Sequence, residues 1–431
     1  MSEEGRGERA AYGLILVYFL LEYLRPQDHY LPFLAPLRVP GLVELGLATL
    51  WLLACPKWPL RERPVRSALV FLAVMASTVV FATNREWALD RTQTIFLALV
   101  AGALPAATLL GRSKRMLSFL EFWVATQTLL AFAGLLNGGR GTGSFLLAES
   151  DLALALCMAI PYPFFLQMAP GAGRLKRAAY LGSVAVMFLG VVSTRSQVGL
   201  FGLVLVLVLV GWLSRRLVRR AVLALALATA LMSVAVATIQ PTFFHDLTNA
   251  QDPEESSGGE RIEAWELGWG MFVDRPVLGV GAGNYPWNVQ AYRLRQSLFY
   301  DGKESAGAED AYSLYITLLA ELGAVGAGVF LVITFSLNRR LRNLVRRVKA
   351  SPRESDMADT LALAAVAMQC SLVTFLVGSI FVSALYYPHL WYLVGFTVGL
   401  ERALDDVYSA PDVLLSKPEL VLEHDLPPIS V

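Results

Sequence analysis

A succession of long apolar stretches runs through this chain and limits what it can fold into. Twelve follow one another: Ala11–Leu24, Val43–Ala54, Ser67–Thr83, Thr92–Leu110, Met116–Leu136, Asp151–Met168, Ala178–Thr194, Gln197–Leu213, Ala221–Ile239, Ala311–Leu337, Thr360–Phe381 and Ala384–Leu400. Most approach or reach the roughly 20 residues that a helix needs to cross a bilayer. Lipid offers no partner to an unpaired backbone group, so such stretches must be helical. The sequence therefore predicts an all-α polytopic membrane protein with about twelve transmembrane helices.

Composition agrees with this interpretation. Of the 431 residues, 55% are hydrophobic and only 16% are charged, whereas soluble domains carry about 25% charged residues. The excess apolar surface must face lipid, and we expect 1–431 to form a single membrane domain. The second stretch is short, and Pro36 and Pro40 leave open that part of it is re-entrant. The three cysteines, Cys55, Cys157 and Cys370, give neither a disulfide framework nor a metal-ligand spacing.

Basic residues cluster in alternate connecting segments. The clusters are Lys57/Arg61/Arg63/Arg66, Arg112/Lys114/Arg115, Arg174/Lys176/Arg177, Arg215/Arg216/Arg219/Arg220 and Arg339/Arg340/Arg342/Arg346/Arg347/Lys349. Cytoplasmic loops carry the excess of lysine and arginine in membrane proteins, so we expect these segments and both termini to be cytoplasmic. The longest connection, residues 240–310, is then periplasmic. The tail, residues 405–431, is rich in proline and acidic residues and is expected to be disordered in the cytoplasm.

The long loop carries a predicted amphipathic helix, Arg261–Asp274. Ile262, Trp265, Trp269 and Phe272 recur at helical spacing within it. Such a helix could rest at the bilayer interface or pack on the protein's own outer surface, and the sequence favours neither. Gly279, Gly281 and Gly283 follow, and they predict a tight turn. A dinucleotide site is excluded because the run does not sit between a strand and a helix.

Arg195 stands in a polar hinge, Ser193–Gln197, between two very apolar stretches. It could be an interfacial anchor, because charge close to hydrocarbon is costly and tends to snorkel. It could also be a guanidinium that grips a phosphate through two hydrogen bonds. Arg261 could approach from the loop. Arg275 and Arg293 are further candidate cations there, with plain surface charge as the alternative.

Several segments resemble the O-antigen ligase and polymerase superfamily. They are Ser193–Gly199, Glu260-Arg261 with Trp265, Asp274–Gly281, and Tyr312–Glu321 with Leu322-Gly323. Glu22–Gln27 is similar to a subgroup of O-glycosylation ligases and exopolysaccharide polymerases. The topology resembles the family over most of the chain, whereas the motifs cover mainly Ser193–Gly199 and Glu260–Gly326.

The resemblance implies a membrane glycosyltransferase with a GT-C-like arrangement. Family members move a glycan from an undecaprenyl-pyrophosphate carrier to an acceptor hydroxyl on a glycan, lipid or protein, without a metal or other cofactor. Arginines neutralise the departing pyrophosphate, a form of electrostatic stabilisation. The matching residues are Arg195 and Arg261, with Arg275 and Arg293 as further donor-binding candidates. The expected location is a bacterial inner membrane, and nucleic acid is not an expected partner.

One position departs from the family pattern. The ligases that this chain resembles carry a histidine at the start of the span after the loop, and an ungapped match places Tyr312 there. A neutral tyrosine is a poor general base. Proton removal could shift to Glu309 or Asp310, or to His389 in the last span. All three could equally be ordinary interfacial polar residues.

Two rival functions stay open at this point. About twelve spans would suit a secondary transporter or a lipid-linked-sugar flippase, although the sequence shows none of the internal repeats from which transporters are usually built. The missing histidine would suit a non-catalytic assembly protein of the envelope. Within the transferases, the sequence does not separate a ligase for lipopolysaccharide from a surface-polysaccharide polymerase.

Overall fold

The computed structural model describes residues 6–26, 39–54, 58–142, 145–213, 257–296, 310–352 and 355–409, with the single positions 222, 225, 227 and 229. Within these ranges, every regular element is a helix. The α-helices are α1 Arg6–Leu24, α2 Val39–Ala54, α3 Arg63–Thr78, α4 Arg85–Leu109, α5 Ser113–Leu136, α6 Glu149–Leu166, α7 Arg174–Ser193, α8 Gln197–Leu213, α9 Ser257–Asp274, α10 Tyr285–Gln296, α11 Leu314–Ala350, α12 Asp356–Gly378 and α13 Pro388–Ser409.

The protein is a polytopic helical membrane protein. Helices overlap eleven of the twelve predicted stretches, and the remaining stretch, Ala221–Ile239, falls almost wholly outside the described residues. Among the described residues, six helices, α4, α5, α6, α7, α11 and α12, are long and apolar enough to cross a membrane. The total of twelve spans and the GT-C-like arrangement therefore stay predictions.

Two of these helices contain local irregularities with identifiable causes. In α4 a π-helical turn, Ala98–Ala103, precedes Pro105, which has no N–H to contribute to a regular helical ladder. In α6 the helix is interrupted at Ile160, directly before Pro161. By length and composition, each of these helices counts as a single candidate span.

The core contains a cluster of aromatic rings from α1, α5 and α13. Phe19 packs edge-on against Phe119, Trp123, Tyr392 and Phe396, with ring centroids 4.9–5.7 Å apart. Edge-to-face contacts of this kind stabilise aromatic pairs by about 0.5–1.5 kcal/mol beyond their buried area. They join the first and last helices of the bundle.

The two ends of the bundle differ in character. At one end, Arg340 bridges Glu62 (2.9 Å) and Glu401 (2.5 Å), while Arg115 pairs with Glu8 (2.7 Å). Basic segments that are far apart in the sequence therefore share this end, as their alternation predicts. At the other end, here called the loop end, α9 and α10 pack against the start of α11.

The long connection and the tail are more helical than predicted. The predicted helix Arg261–Asp274 is present and begins earlier, at Ser257, and α10 follows it. At the C-terminus, α13 continues to Ser409, so helix extends five residues into the segment 405–431 that was expected to be disordered. Residues 410–431 lie outside the described ranges.

Candidate active site at the loop end

Arg195 lies at the hinge between α7 and α8. Its φ is +53°, in the left-handed region that non-glycine residues rarely adopt, and its side chain is exposed. Thr194 fixes the hinge, because its hydroxyl donates to Val191 O (2.7 Å) and accepts from the Ser196 N–H (3.2 Å). The left-handed turn thus carries an exposed arginine between two apolar helices.

Arg261 lies near the start of α9 and contacts Tyr312. The guanidinium carbon stands 5.5 Å from the centroid of the Tyr312 ring, a cation–π arrangement. Tyr312 itself has φ +48°, so its backbone is held in a strained conformation of the kind that tends to cluster at functional sites. Two residues that the sequence singles out therefore meet.

Aromatic packing brings the helices of Arg195 and Arg261 to the same place. Trp265, one turn after Arg261, stacks on Phe381 with centroids 6.4 Å apart. Phe201 of α8 meets the same ring edge-on at 6.0 Å. Helix α8, which follows Arg195, and helix α9, which carries Arg261, thus both contact the Phe381 ring.

Asp310 lies two residues before Tyr312 and is exposed. Protein packed around the carboxyl still removes enough solvent to raise its pKa, and the positive charge of Arg91 opposes that rise. A carboxylate with a raised pKa accepts a proton more readily near neutral pH. Glu309, the other acid predicted here, lies outside the described residues.

Arg91 is a site residue that the sequence analysis missed. Its guanidinium lies 4.6 Å from the centroid of Trp87 and 5.9 Å from that of Tyr386. In the sequence it is one of several charges directly before an apolar stretch, and nothing distinguishes it from Arg85. Only the fold shows that its charge acts on Asp310.

The segment after α9 docks into a break in α11. Gly323 has φ +61° and ψ −162°, which frees backbone groups of α11 from their helical partners. Val280 N–H donates to Ala320 O (2.8 Å), and Ala324 N–H donates to Pro276 O (2.8 Å). The docked segment makes the tight turns that its glycines predict, with φ +67° at Gly279 and +110° at Gly281.

Glu321 holds this docked segment in place through hydrogen bonds. Its two buried carboxylate oxygens accept from Gly283 N–H (2.9 Å) and Tyr285 N–H (2.8 Å), and Tyr386 O–H donates to the same carboxylate. A lone acid inside an apolar stretch is the sequence signal that could have identified it. The resemblance names Glu321 only as the end of a motif.

Asp151 is a second acid that the sequence analysis left aside. It is buried at the start of α6 and interacts with Tyr387, close enough to Asp310 for their charges to act on each other. It stands at the start of an apolar stretch, where an acidic residue is common because it interacts favourably with the positive end of the helix dipole. Its position beside Asp310 follows from tertiary structure alone.

Three other predicted residues have different surroundings. Arg293 pairs with Glu263 at 2.6 Å, so its charge is already neutralised. Arg275 lies just beyond the far end of α9, about 20 Å along the helix axis from Arg261, so one pyrophosphate cannot contact both. His389 is buried, and its Nδ1 hydrogen-bonds with the Tyr23 hydroxyl at 2.6 Å.

The described parts of the chain contain no group of three or more histidine, cysteine, aspartate or glutamate side chains that could hold a metal ion. The polar groups at the loop end are instead guanidinium groups, single carboxylates and tyrosines. Such a set can bind an anion and accept a proton.

Comparison with known proteins gives a family match. A sequence model of the family described as O-antigen ligase matches residues 182–331, a region that runs from α7 through the Arg195 hinge and the loop into α11. A search of curated proteins finds no match to the chain. The matched region contains every motif from Ser193 onward that carries the resemblance. Over this region the chain is similar to the O-antigen ligase family, which supports the resemblance to the O-antigen ligase and polymerase superfamily of membrane proteins.

Proposed function

We propose that this protein transfers a glycan from an undecaprenyl-pyrophosphate carrier to an acceptor hydroxyl at the loop end, which faces the periplasm of a bacterial inner membrane. The main support for this proposal is that two cations act on residues 310–312. Arg261 contacts Tyr312, and Arg91 acts on Asp310. The family match over residues 182–331 supports a ligase or polymerase activity.

The pyrophosphate leaving group explains why this reaction needs cations. As the bond between the anomeric carbon and the phosphate oxygen breaks, its electron pair passes to the pyrophosphate and negative charge builds there. Arg261 and Arg195 stabilise that charge, and Arg91, whose charge acts on Asp310, adds a third cation. Fixed charges aimed at a developing anion supply a large part of many rate enhancements.

The acceptor's proton needs a base, and Asp310 is proposed for this role among the described residues. The acceptor oxygen forms its bond to the anomeric carbon while its proton passes to the Asp310 carboxylate. Attack from the face opposite the pyrophosphate inverts the anomeric configuration. The loss of solvent around the carboxyl raises the pKa of Asp310 and makes it a better proton acceptor than an ordinary surface aspartate. The proposed transfer is independent of a metal.

Purified protein in proteoliposomes tests the proposal. The substrate is the undecaprenyl-pyrophosphate-linked glycan of the host, and release of undecaprenyl pyrophosphate is measured with the host's acceptor. Removing one group that stabilises the transition state costs about 10²–10³ in rate. The transfer rates of Arg261→Ala and Arg91→Ala should therefore fall by roughly that factor. The wild-type protein should keep its full rate in EDTA.

Arg85→Ala is the matched control, because Arg85 is an exposed arginine at the start of the same helix as Arg91. It should keep the wild-type rate. Equal rates for wild type, Arg261→Ala and Arg91→Ala would refute the proposed role of these cations.

A further inference from the structure

A small cavity lies inside the bundle, between α1, α5, α6, α12 and α13. Its volume is about 20 Å³, slightly more than the minimum that one water molecule requires. Its lining is Tyr23, Trp123, Gln127, Ala155, Met158, Ala159, Tyr162, Ser371, His389, Tyr392, Leu393 and Phe396. No side chain in this lining is an acid, lysine or arginine, so the cavity suits a small neutral ligand.

Four polar atoms on this lining lack a partner. They are Gln127 Oε1 and Nε2, His389 Nε2 and Trp123 Nε1, none of which has a hydrogen bond within the described protein. Their side chains are almost fully enclosed, with exposed fractions of 1% for Gln127, 5% for His389 and 7% for Trp123. An unsatisfied buried polar group lowers the stability of a protein by about 1–3 kcal/mol. Several such groups on one cavity therefore indicate a bound ligand that satisfies them.

The chemistry of these atoms matches water. The Gln127 amide offers a donor and an acceptor in either orientation. His389 Nδ1 is engaged by Tyr23, which leaves Nε2 as either donor or acceptor according to the tautomer. The Trp123 N–H is a donor only. A water molecule both donates and accepts, and it meets about three partners when buried.

We propose that the cavity binds one ordered water molecule, held by Gln127, His389 and Trp123. Through His389 and Tyr23 this water connects α5, α13 and α1. The Tyr23 carbonyl in turn accepts from the Thr142 hydroxyl at 3.2 Å, in the connection between α5 and α6. His389 is thereby a structural residue whose two ring nitrogens are both engaged.

The same connection supports the Arg195 hinge. A Cβ placed on Gly139, three residues before Thr142, would come within 2.6 Å of Thr194 Cα, so the two backbones are in direct contact. The bound water thus belongs to the scaffold beneath the loop end. This inference is independent of the proposed transfer reaction.

Radiolytic hydroxyl-radical footprinting in H₂¹⁸O tests the water site, because buried side chains are labelled where bound water generates radicals beside them. The full-length protein is used in lipid nanodiscs. Met158 lines the cavity and is 6% exposed, whereas Met187 in α7 is 0% exposed and lies outside its lining. We expect ¹⁸O incorporation at Met158 to exceed that at Met187 at least threefold. Equal incorporation would show a dry cavity and overturn the proposal.

A variant pair assigns the water to Gln127. Gln127→Met keeps side-chain length but removes both hydrogen-bonding atoms, and it should reduce Met158 labelling to the Met187 level. Gln369→Met is the same change at a glutamine that bonds instead to Asn338 (3.4 Å), and it should leave Met158 labelling unchanged. Undiminished labelling in Gln127→Met would contradict the assignment. If that variant does not fold, the wild-type comparison still decides whether the cavity holds water.

Discussion

Tyr312 stands where the resembling ligases carry a histidine, and its ring instead lies against the Arg261 guanidinium. A histidine there would serve as a base, whereas a tyrosine ring can hold a cation in place. Contacts of this kind contribute about 0.5–2 kcal/mol. The structure thus offers a role for Tyr312 that does not require its proton.

Two substitutions distinguish the role of the Tyr312 ring from the role of its hydroxyl. Tyr312→Phe keeps the ring beneath Arg261 and should retain transfer within about threefold of wild type, while Tyr312→Ala should lose roughly tenfold, an amount within the range of a cation–π contact. The measurement is the proteoliposome transfer rate. If Tyr312→Phe proved as slow as Tyr312→Ala, the hydroxyl would be the essential group.

Sequence reasoning identified side chains by type and place, but it did not identify their partners. Arg261 and Tyr312 stood out because each lies in a recognisable segment. Arg91 did not, because its neighbours Tyr386 and Asp310 are more than 200 residues away along the chain. The ion pair of Arg293 with Glu263 was equally hidden, since it joins two different helices.

Among the elements, the break in α11 organises the loop end. The sequence predicts an uninterrupted apolar span over Ala311–Leu337, and helix does cover most of this range. The break at Gly323 was not predicted, because an isolated glycine in a helical pattern is usually tolerated without one. It forms because the segment after α9 supplies the hydrogen bonds that α11 gives up.

The docked segment should be sensitive to an added methyl group. At Gly281, φ is +110° and a Cβ would lie 2.8 Å from that of Ala82, so Gly281→Ala is both strained and crowded. Each such conformation costs about 1–3 kcal/mol, and we expect the thermal unfolding midpoint to fall by several degrees.

Gly328→Ala is the comparison for that change. Gly328 lies inside α11, and no atom lies within 4 Å of its added Cβ, so alanine should leave the midpoint unchanged or raise it slightly. A similar midpoint for both variants would mean that the segment does not dock as described.

For the whole molecule, the distribution of charge predicts which end faces which compartment. The basic clusters gather at the end opposite α9 and α10, where Arg340 and Arg115 form their ion pairs. Apolar length and charge alternation made this polarity predictable. The contacts within the loop end were not predictable, because they depend on how the helices meet.

Cysteine labelling tests this orientation. Gln290 and Asn343 are both exposed, the first on α10 and the second near the basic end of α11. A membrane-impermeant maleimide should label Gln290→Cys in intact spheroplasts, and Asn343→Cys only after lysis, each measured above the background of the parent protein. The reverse pattern would invert the topology and place the candidate site in the cytoplasm.

The central claim is that Arg195 and Arg261 serve glycan transfer, and the surface polysaccharide of the host reports on it directly. A deletion strain is complemented with wild type, Arg195→Ala, Arg261→Ala or Arg85→Ala, each checked for membrane insertion, and its glycans are separated on a gel. The account predicts that wild type and Arg85→Ala restore the product, while the other two variants leave carrier-linked glycan unfinished or unattached. A full ladder from both Arg195→Ala and Arg261→Ala would contradict the transferase mechanism and favour a transport or assembly role.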